Sequence, residues 1–289
     1  MAVLNFGSLN IDHVYRVDHI SRPGETIASQ DYRIHAGGKG ANQSMALARA
    51  GADVAHAGAI GEEGAWLRDK LADAGVDVSR IRFSDNAGGH AIIQVDEAGE
   101  NSIVLHGGSN LEVTRERINA VLSDFGEGDI LLLQNEINMI SEIIDAADKR
   151  GMRVCLNPAP MKKEVEAYPL NKVDILVVNE TEGRELSSEA EPEAIVQTLS
   201  ERYGCTVVLT LGAEGAMLLA NDAIEHVPGV KVKNVVDTTA AGDTFMGFFL
   251  AGLAEGLEMS VAVELGCRAG AACVARAGAM DSIPARGEI

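Results

Sequence analysis

The amino-acid sequence predicts an α/β fold: a doubly wound, mostly parallel sheet flanked by helices, with a small second β-sheet. Three observations predict it. Apolar runs alternate with amphipathic segments along the 289-residue chain after about residue 114. Four short strand-like stretches in the N-terminal half do not follow that alternation, and no tandem repeat or low-complexity linker divides the chain. A single α/β domain spanning residues 1–289 is therefore expected.

The N-terminal part is predicted to open with a strand, a glycine turn and a helix. Residues 2–9 suit a buried strand, and GGKGANQSMALARAG begins at a turn and continues as a helix. The turns RPGET and DEAGE separate short stretches of mixed polarity, which are residues 13–20, 27–36, 90–95 and 101–106. These stretches are expected to form the small sheet, made of about residues 11–36 and 88–107.

The C-terminal part is predicted to supply the main sheet. Its apolar runs are DILLLQ (129–134), RVCLNP (153–158), VDILVVN (173–179) and TVVLTLG (206–212). Such runs are typical of parallel strands buried on both faces, and right-handed crossovers place helices on both sides. GAMLLA and AIEHVP then indicate a hairpin around Asn221 and Asp222. Two helices are expected at residues 241–255 and 259–276.

The charge balance limits the possible ligands. With 24 Lys and Arg against 43 Asp and Glu, the chain carries a formal net charge of −19. Binding along a nucleic-acid backbone needs clustered cations, so no nucleic-acid partner is expected. A phosphate site must be built from backbone N–H groups, helix N-termini or a metal ion, because the overall field is unfavourable.

The cysteines and the apolar runs bear on the compartment. Cys155, Cys205, Cys267 and Cys273 form no C-x-x-C pair and lie in apolar segments, so buried free thiols are expected. The start, MAVLNFGSLN, does not resemble a signal peptide, and no apolar run approaches 18 residues. A cytoplasmic protein without membrane contact is therefore expected.

Polar residues follow most of the predicted strands. Ligands of open α/β sheets bind outside the carboxyl ends of the strands. The candidates at those ends are Asn10, Asp12, Glu136, Asn157, Asn179, Glu182 and Thr210 to Gly215. Asn10 and Asp12 would point to one face of an extended segment, where a carboxylate can accept hydrogen bonds from the vicinal hydroxyls of a sugar. Asx residues at a strand end also commonly form a turn.

Three short motifs each allow a structural and a functional interpretation. GGKGAN, residues 37–42, matches neither the P-loop nor the dinucleotide fingerprint. Its glycines suit a tight turn, or close approach of the backbone to a polar ligand with Lys39 and Asn42 nearby. NETE, residues 179–182, suits a capping box, or a site for Mg²⁺ or phosphate. TLGAEG, residues 210–215, suits the turn into a hairpin, or a surface beneath a nucleotide.

The stretch VVDTTAAGDTFMGFF, residues 235–249, breaks an apolar run with threonines, alanines and a glycine. It then places Asp243 in the first turn of a helix. Acidic residues are common there, because their charge interacts favourably with the helix dipole. The alternative is a catalytic carboxylate beside a phosphate-binding helix N-terminus, and the stretch alone does not decide between the two.

Taken in order, the motifs resemble the ribokinase branch of the PfkB carbohydrate kinase family. The resemblance runs from GSLNIDH and RPGET through GGKGANQ, LNPAP, NETE, TLGAEG and DTTAAGDTF to AGAMDSIP, nearly the whole chain. Each motif alone is common, whereas the ordered set is highly specific. The resemblance implies an ATP-dependent sugar kinase acting on the primary hydroxyl of a pentose, with D-ribose, which gives ribose 5-phosphate, as the leading substrate.

The resemblance also implies residue roles. Asp243 would take the proton from the sugar hydroxyl. The anion hole for the moving phosphoryl group would be formed by the backbone N–H groups of Ala240, Ala241 and Gly242. The sugar-binding residues would be Asn10, Asp12, Gly38, Lys39, Asn42 and Glu136. Mg²⁺ and the phosphates would be contacted through water by Asn179 and Glu182. The residues lining ATP would be Thr210, Gly212 and Gly215.

Two further features are implied in the same way. A monovalent cation, K⁺, would lie beside the anion hole, held by oxygens of Asp237, Thr239, Cys273, Arg276, Gly278 and Ser282. The small sheet would be the family's lid over the sugar. Its strands AIIQV and SIVLH carry apolar residues on both faces, more than an exposed flap should tolerate, so a homodimer through the lids is expected.

Other functions fit parts of the sequence. A PfkB-family kinase for another furanose or a nucleoside would share the motifs, although a 4% aromatic content leaves few groups to stack on a base. A catalytically silent sugar-binding protein would keep Asn10 and Asp12 but lose the base, and Asp243 with the intact AAG run argues against it. An NAD-dependent dehydrogenase would need the glycine fingerprint that is missing here.

Overall fold

The structure of the chain is a computed structural model that describes residues 1–220 and 223–289. Its strands are β1 (Val3–Phe6), β2 (Asn10–Arg16), β3 (Asp31–Gly37), β4 (Val54–Gly61), β5 (Asp77–Ser84), β6 (Gly89–Val95), β7 (Asn101–His106), β8 (Ile130–Gln134), β9 (Arg153–Asn157), β10 (Ile175–Asn179), β11 (Thr206–Thr210), β12 (Gly215–Ala220) and β13 (Ala223–Pro228). Its α-helices are α1 (Lys39–Arg49), α2 (Ala65–Asp73), α3 (Arg115–Leu122), α4 (Ile140–Asp148), α5 (Glu180–Ser187), α6 (Pro192–Tyr203), α7 (Ala241–Ala254) and α8 (Met259–Cys273).

The larger sheet has nine strands in the order β13-β12-β11-β10-β9-β8-β1-β4-β5. The strands from β11 to β5 in this order pair in parallel, and β12 and β13 add an antiparallel hairpin at one edge. The predicted fold class, a doubly wound and mostly parallel α/β fold, is confirmed. The turn predicted at Asn221 and Asp222 lies outside the described residues.

Two layers of buried side chains explain the continuous apolar runs. Along β8, Ile130 and Leu132 belong to the layer beneath α1, α2, α7 and α8. Leu131 and Leu133 belong to the layer beneath α3 to α6. Successive side chains of a strand point to opposite faces, so a strand covered on both faces needs an apolar residue at every position. The parallel strands predicted from these runs are confirmed.

The smaller sheet has four strands in the order β3-β2-β6-β7, with β2 and β6 parallel and the other pairs antiparallel. Its first two strands occupy residues 10–16 and 31–37 instead of the predicted 13–20 and 27–36. The first strand predicted at residues 2–9 is too long, because β1 ends at Phe6 and the chain then crosses to the smaller sheet. Asn10 and Asp12 therefore lie within β2.

The sequence patterns assign no element to residues 51–88, where the structure has β4, α2 and β5. β4 is buried along its whole length, yet its sequence, VAHAGAIG, is rich in Ala and Gly, which have low strand propensity. Close packing explains the small residues. A Cβ on Gly58 would lie 2.7 Å from the carbonyl oxygen of Gly7, just beyond β1.

The structure bears on two predictions, which concern membrane-spanning helices and the state of the cysteines. No helix within residues 1–220 and 223–289 has the length and apolar character needed to cross a membrane. The four cysteines are unpaired, as predicted. Cys155, Cys205 and Cys273 are buried, whereas Cys267 in α8 is partly exposed. The prediction of buried thiols is therefore right for three of the four.

Candidate active site

The carboxyl ends of the parallel strands meet at one edge of the larger sheet, where the predicted polar residues follow them. Glu136 comes after β8, Asn157 ends β9, Asn179 ends β10 and Thr210 ends β11. The helices α1 and α7 begin at the same edge. Gln43, near the start of α1, donates hydrogen bonds to Asp243 in the first turn of α7 and to Asn157 at the end of β9. The edge therefore collects residues from six separate elements.

Asp243 lies in the first turn of α7 and is 7% exposed. Asn42 Nδ2 donates a hydrogen bond to its Oδ2 at 3.1 Å, and Gln43 Nε2 donates to its Oδ1 at 2.9 Å. Both donors belong to α1, so the carboxylate is held across the junction of the two helices. Asp243 itself does not line the cavity of about 550 Å³ that its neighbours Ala241 and Gly242 reach.

The start of α7 presents backbone N–H groups. Ala240 has φ 60° and ψ 8°, a left-handed conformation that costs a non-glycine residue about 1 kcal/mol or more. Among the described residues, the amides of Ala240 and Gly242 have no hydrogen-bond acceptor, whereas that of Ala241 donates to Thr238 O at 3.3 Å. A Cβ on Gly242 would meet nothing within 4 Å. Two of the three amides are free, with open space beside Gly242.

A cavity of about 550 Å³ extends from the end of β11 to the start of α7. Its lining includes all three predicted nucleotide residues and two of the predicted anion-hole residues, namely Thr210, Gly212, Gly215, Ala241 and Gly242. Much of the rest is apolar, including Val232 and Phe245, as in sites that hold an aromatic ring. Position 215 needs glycine, because φ is 102° and a Cβ would lie 2.1 Å from Val227 O.

A larger groove, of about 840 Å³, lies between β13 and α8 and contains none of the predicted site residues. Its lining mixes Lys231, Lys233 and Arg268 with Glu225 and Glu264. The smaller cavity is the better candidate, because volume alone does not select a ligand site, whereas convergent polar groups do.

Glu136 lies at the rim of a further cavity of about 480 Å³. Its Oε2 accepts hydrogen bonds from Ser8 Oγ and, at 2.9 Å, from the backbone N–H of Lys39. Burial raises the pKa of Glu136, and the two hydrogen bonds oppose that shift. The carboxylate is thus fixed between the segment after β1 and the start of α1.

Asn10 and Asp12 lie two residues apart in β2 and share one face of the smaller sheet. Burial, followed by the negative charge of Glu136, raises the pKa of Asp12 to about 6. Asn10 Oδ1 accepts a hydrogen bond from Asn110 Nδ2 at 2.7 Å. Gly38 packs against this strand with φ 87°, and a Cβ there would lie 2.9 Å from Asn10 N. The close approach of α1 to β2 therefore requires glycine at position 38.

Lys39 lies among the acidic groups. The charge of Asp243 is the main cause that raises the pKa of Lys39; burial acts in the opposite direction, and Glu136 and Glu182 raise it further. The ammonium group therefore stays charged. It compensates the carboxylates of this acidic protein and provides a cation for an anionic ligand.

Asn179 and Glu182 form a capping box. Asn179 Oδ1 accepts from the Glu182 N–H at 2.9 Å, and Glu182 Oε2 accepts from the Asn179 N–H at 3.0 Å. Burial raises the pKa of Glu182 despite the hydrogen bonds from Asn179. No three metal-ligating acidic, His or Cys side chains come together in the part of the chain that the structure describes. The donors present fit an ion that keeps water and phosphate ligands, as Mg²⁺ does.

The six residues predicted to hold a monovalent cation come together in the segment before α7, at the last residue of α8 and in the segment after it. Their contacts are Thr239 N–H to Asp237 Oδ1 (2.9 Å), Gly278 N–H to Asp237 Oδ2 (3.0 Å), Arg276 N–H to Cys273 O (3.0 Å) and Cys273 Sγ to Ser282 Oγ (3.0 Å). Burial would raise the pKa of Asp237, but hydrogen bonds from Thr239 and Gly278 hold it below its ordinary value. An ionised carboxylate amid oxygen-rich loops fits a cation.

Three contacting residues are absent from the predicted set. Gln43 donates to Asp243, Ser8 donates to Glu136, and Asn110 donates to Asn10. Gln43 follows Asn42 in GGKGANQ, so the motif itself was the available signal. Ser8 and Asn110 contact partners 128 and 100 positions away, and no local pattern indicates such contacts.

Comparison with known proteins relates this site to others. Residues 2–286 match the family model described as pfkB family carbohydrate kinase. The chain is 37% identical to the ribokinase of Haemophilus influenzae, covering 98% of this chain and 95% of the relative. The ribokinase of Cryptococcus neoformans var. grubii, solved in complex with ADP, has a TM-score of 0.88 and 34% identity, covering 99% of this chain and 98% of that chain. The ribokinase of Arabidopsis thaliana, solved with ribose and ATP, has a TM-score of 0.88 and 29% identity, covering 99% and 96%.

Proposed function

Because the chain belongs to the pfkB family of carbohydrate kinases, we propose that it transfers the γ-phosphoryl group of ATP to the primary hydroxyl of D-ribose. The products are ribose 5-phosphate and ADP. The observation that carries the proposal is the cavity that leads from Thr210 and Gly215 to Ala241 and Gly242 at the start of α7, next to Asp243, where the amide of Gly242 is free. Similarity over nearly the full chain to ribokinases, one of them solved with ribose and ATP, supports the sugar and the nucleotide.

Asp243 is the proton acceptor in this proposal. Its carboxylate takes the proton of the attacking hydroxyl while the sugar oxygen bonds to the γ-phosphorus and the bond from that phosphorus to the bridging oxygen of ADP breaks. Hydrogen bonds from Asn42 and Gln43 fix the orientation of the carboxylate. At 7% exposure, little water competes with the hydroxyl for the base.

The start of α7 receives the phosphoryl group. The amides of Ala240 and Gly242 are free to donate to its oxygens, and the long bond from Ala241 to Thr238 can be exchanged for one to phosphate. With the helix dipole, these donors stabilise the negative charge on the transferring group. The small side chains at positions 240 to 242 let the phosphate approach the main chain.

The sugar binds between β2 and the start of α1. Asp12 and Glu136 supply acceptors for its hydroxyls, and Lys39 supplies donors. Asn10, Asn42 and Gly38 complete the proposed set, with Gly38 allowing α1 to approach β2 closely. The charge on Lys39 partly offsets that of Glu136, whose pKa it lowers.

ATP occupies the 550 Å³ cavity along Thr210, Gly212 and Gly215, with its base against the apolar lining. Asn179 and Glu182 would hold Mg²⁺ through water, beside the nucleotide phosphates. When bound, this ion would neutralise phosphate charge and favour phosphoryl transfer.

A monovalent cation, K⁺, is proposed at the loops around Asp237. The ionised carboxylate and the carbonyl groups of Thr239, Cys273, Arg276 and Gly278 support a cation, together with the Ser282 hydroxyl. Asp237 and Thr239 directly precede the anion hole in the chain. A positive charge at this point would strengthen anion binding by the amides that follow.

The smaller sheet is proposed to be a lid over the sugar and a dimer interface. One face carries Asp12, and the opposite face carries a row of exposed apolar residues that crosses the strands, Ile34, Ile92 and Val104. These side chains are 49%, 42% and 64% exposed, which is typical of a surface that binds a partner. The proposed partner is the same face of a second copy.

Sedimentation equilibrium tests the dimer. Ile34→Asp should convert the wild-type dimer to a monomer, because it places a charge in the apolar row. Val261→Asp is the matched control, since Val261 is 47% exposed in α8, outside the smaller sheet, and should leave the dimer intact. A wild-type monomer, or equal association of both variants, would contradict the interface.

The cytoplasm is the proposed compartment, without nucleic-acid or membrane partners. Four unpaired cysteines suit a compartment that keeps thiols reduced. Fractionation of cells that produce the chain tests this, and recovery with the membrane or the exported fraction would contradict it.

A coupled assay of ADP release over ribose, deoxyribose, fructose and several nucleosides tests the reaction. Ribose should give the highest kcat/KM, with ribose 5-phosphate as the product by ³¹P NMR. A higher value for another furanose or for a nucleoside would reassign the substrate. Binding of ribose by calorimetry without ADP release from any substrate would identify a silent sugar-binding protein instead.

A further inference from the structure

A chain of three buried amides leads from Asp243 into the core. Gln43 Nε2 donates to Asp243 Oδ1 at 2.9 Å. Gln134 Nε2 donates to Gln43 Oε1 at 2.7 Å and to Asn5 Oδ1 at 2.9 Å. Asn5 Nδ2 donates to the carbonyl oxygen of Gly40 at 2.7 Å. The three amides come from α1, β8 and β1, and each is at most 1% exposed.

The last contact fixes the orientation of all three amides. A backbone carbonyl can only accept, so Asn5 must turn its NH₂ group to Gly40 and its oxygen to Gln134. Gln134 must then present its NH₂ group to Asn5 and also to Gln43. Gln43 therefore turns its oxygen inward and its NH₂ group toward Asp243. A reversed Gln43 would bring its oxygen against the Asp243 carboxylate and its NH₂ group against the NH₂ group of Gln134.

We propose that Gln43 is a positioning residue for the proton acceptor Asp243, kept in its donating orientation by Gln134 and Asn5. The inference rests on the proposed function. Gln43 holds Oδ1 while Asn42 holds Oδ2, so the plane of the carboxylate is fixed from both sides. A hydrogen bond to a carboxylate favours its ionised form, which is the form that accepts a proton. Gln43 thus keeps the base ready without touching the substrate.

Other charges act on the same carboxylate and must be considered in a pH experiment. Lys39 in α1 attracts it, and Glu136 after β8 and Glu182 in α5 add negative charge nearby. None of these groups belongs to the amide chain. Variants at Gln43 and Gln134 leave all three in place, so a change in the pH profile reports on the amides.

Gln43→Met removes the donor while keeping a side chain of similar length. We expect kcat to fall about 10- to 100-fold, the effect of one hydrogen bond to a charged group, and the acidic limb of kcat against pH to move upward. Gln43→Glu should move that limb further, because two neighbouring carboxylates disfavour double ionisation. Gln134→Met should shift it in the same direction by less, since Gln43 keeps its donor and loses only its orientation. Ribose affinity measured by calorimetry should stay within about threefold of wild type, because the substitutions remove no contact that binds the sugar before the reaction.

Thr244→Val is the matched control. Thr244 is fully buried beside Asp243, and its hydroxyl has no partner among the described residues. The variant changes buried polarity at the same depth without removing a hydrogen bond from the carboxylate. Its kcat and pH profile should match those of wild type, and thermal unfolding measures any loss of stability in each variant.

Two results would overturn the inference. One is a Gln43→Met enzyme with kcat within a few-fold of wild type. The other is a loss of kcat with an unshifted pH profile and a lowered melting temperature, which indicates packing alone. Asp243→Asn in the same assay separates this failure from failure of the proposed function. An active Asp243→Asn enzyme refutes the role of Asp243 as the base. An inactive Asp243→Asn enzyme, together with a Gln43→Met enzyme that behaves like the wild type, refutes only the positioning role of Gln43.

Discussion

Gly247 in α7 packs directly against Ala46 in α1: a Cβ built on Gly247 would lie 2.3 Å from the Cβ of Ala46. The two helices therefore touch through their backbones. About one turn before these residues lie Asp243 and Asn42, whose side chains are joined by a hydrogen bond of 3.1 Å. The close crossing thus sets the distance between the proposed base and its donors, and a packing residue takes part in the geometry of the site.

Gly247→Ala is expected to separate the helices and to weaken both hydrogen bonds to Asp243. We expect kcat to fall about tenfold and the free energy of unfolding to fall by about 1–3 kcal/mol through overpacking. Gly252→Ala is the control, because a Cβ there would lie 3.1 Å from Ala262 Cβ, away from Asp243. It should lower stability and leave kcat unchanged. Equal kcat for the two variants would show that the crossing does not set the geometry.

Asp12→Asn is expected to stabilise the free protein while weakening its affinity for ribose. The pKa of Asp12 is about 6 in the folded protein against an ordinary 3.8. Its favourable contribution to stability is therefore complete below about pH 3.8 and is lost as the pH rises through 6. The neutral variant should melt about 2 °C or more above wild type at pH 8, and the difference should vanish at pH 3.5.

Calorimetry and ribose kinetics check the Asp12 prediction. The KM of the wild type for ribose should rise as the pH falls below about 6, because the carboxylate loses an acceptor. Asp73→Asn, an exposed position at the end of α2, should show neither effect. If Asp12→Asn and the wild type had the same melting temperature at pH 8, burial of the ionised Asp12 would not destabilise the protein.

Cys267 should be the cysteine that reacts with a maleimide, and ATP should protect it. It lines the 550 Å³ cavity and is the one cysteine that is not buried. Burial, followed by the charge of Glu264, raises its pKa to about 11, so labelling is best measured near pH 9. ATP at ten times its Kd should slow labelling about tenfold, whereas ribose alone should not. A labelling rate that ATP leaves unchanged would place the nucleotide elsewhere.

Activity should depend on the monovalent cation. At equal ionic strength, potassium chloride should give at least about fivefold higher kcat/KM than tetramethylammonium chloride, the lower end of typical coupling between sites. Asp237→Ala should remove the stimulation, because it removes the ionised group at the proposed site. Asp281→Asn, at an exposed position in the segment after α8, should retain it. Equal rates of the wild type in the two salts would rule out the cation.

The sequence predicts those strands in which successive side chains are large, apolar and packed into one of the two buried layers. β8 is such a strand, because Leu131 and Leu132 face opposite layers. β4 is equally buried but carries mainly Ala and Gly. At Gly58, close packing against Gly7 excludes a side chain. The sequence of β4 therefore lacks the pattern from which strands are predicted. The turn of the chain after Phe6 into the second sheet likewise depends on tertiary contacts.

The candidate site likewise contains residues that the sequence predicts and residues whose roles depend on tertiary contacts. Asp243, Asn42 and Lys39 lie in motifs whose residue types already indicate their chemistry, and the structure brings them together. Ser8 and Asn110 act on partners more than 90 positions distant, so their roles depend on the folded chain. The bond from Ala241 to Thr238 also has no signal in the sequence, and it engages one of the three amides predicted to be free.

The kcat of Asp243→Asn, measured together with its Kd for ribose, tests whether this carboxylate accepts the proton of the sugar hydroxyl. The substitution keeps the shape of the side chain and removes its capacity to accept the proton of the sugar hydroxyl. We expect kcat to fall by about 10² to 10⁴, the usual range for a removed general base, with ribose affinity nearly unchanged and a melting temperature that shows a folded protein. A folded variant that turns over within a few-fold of wild type would contradict the account.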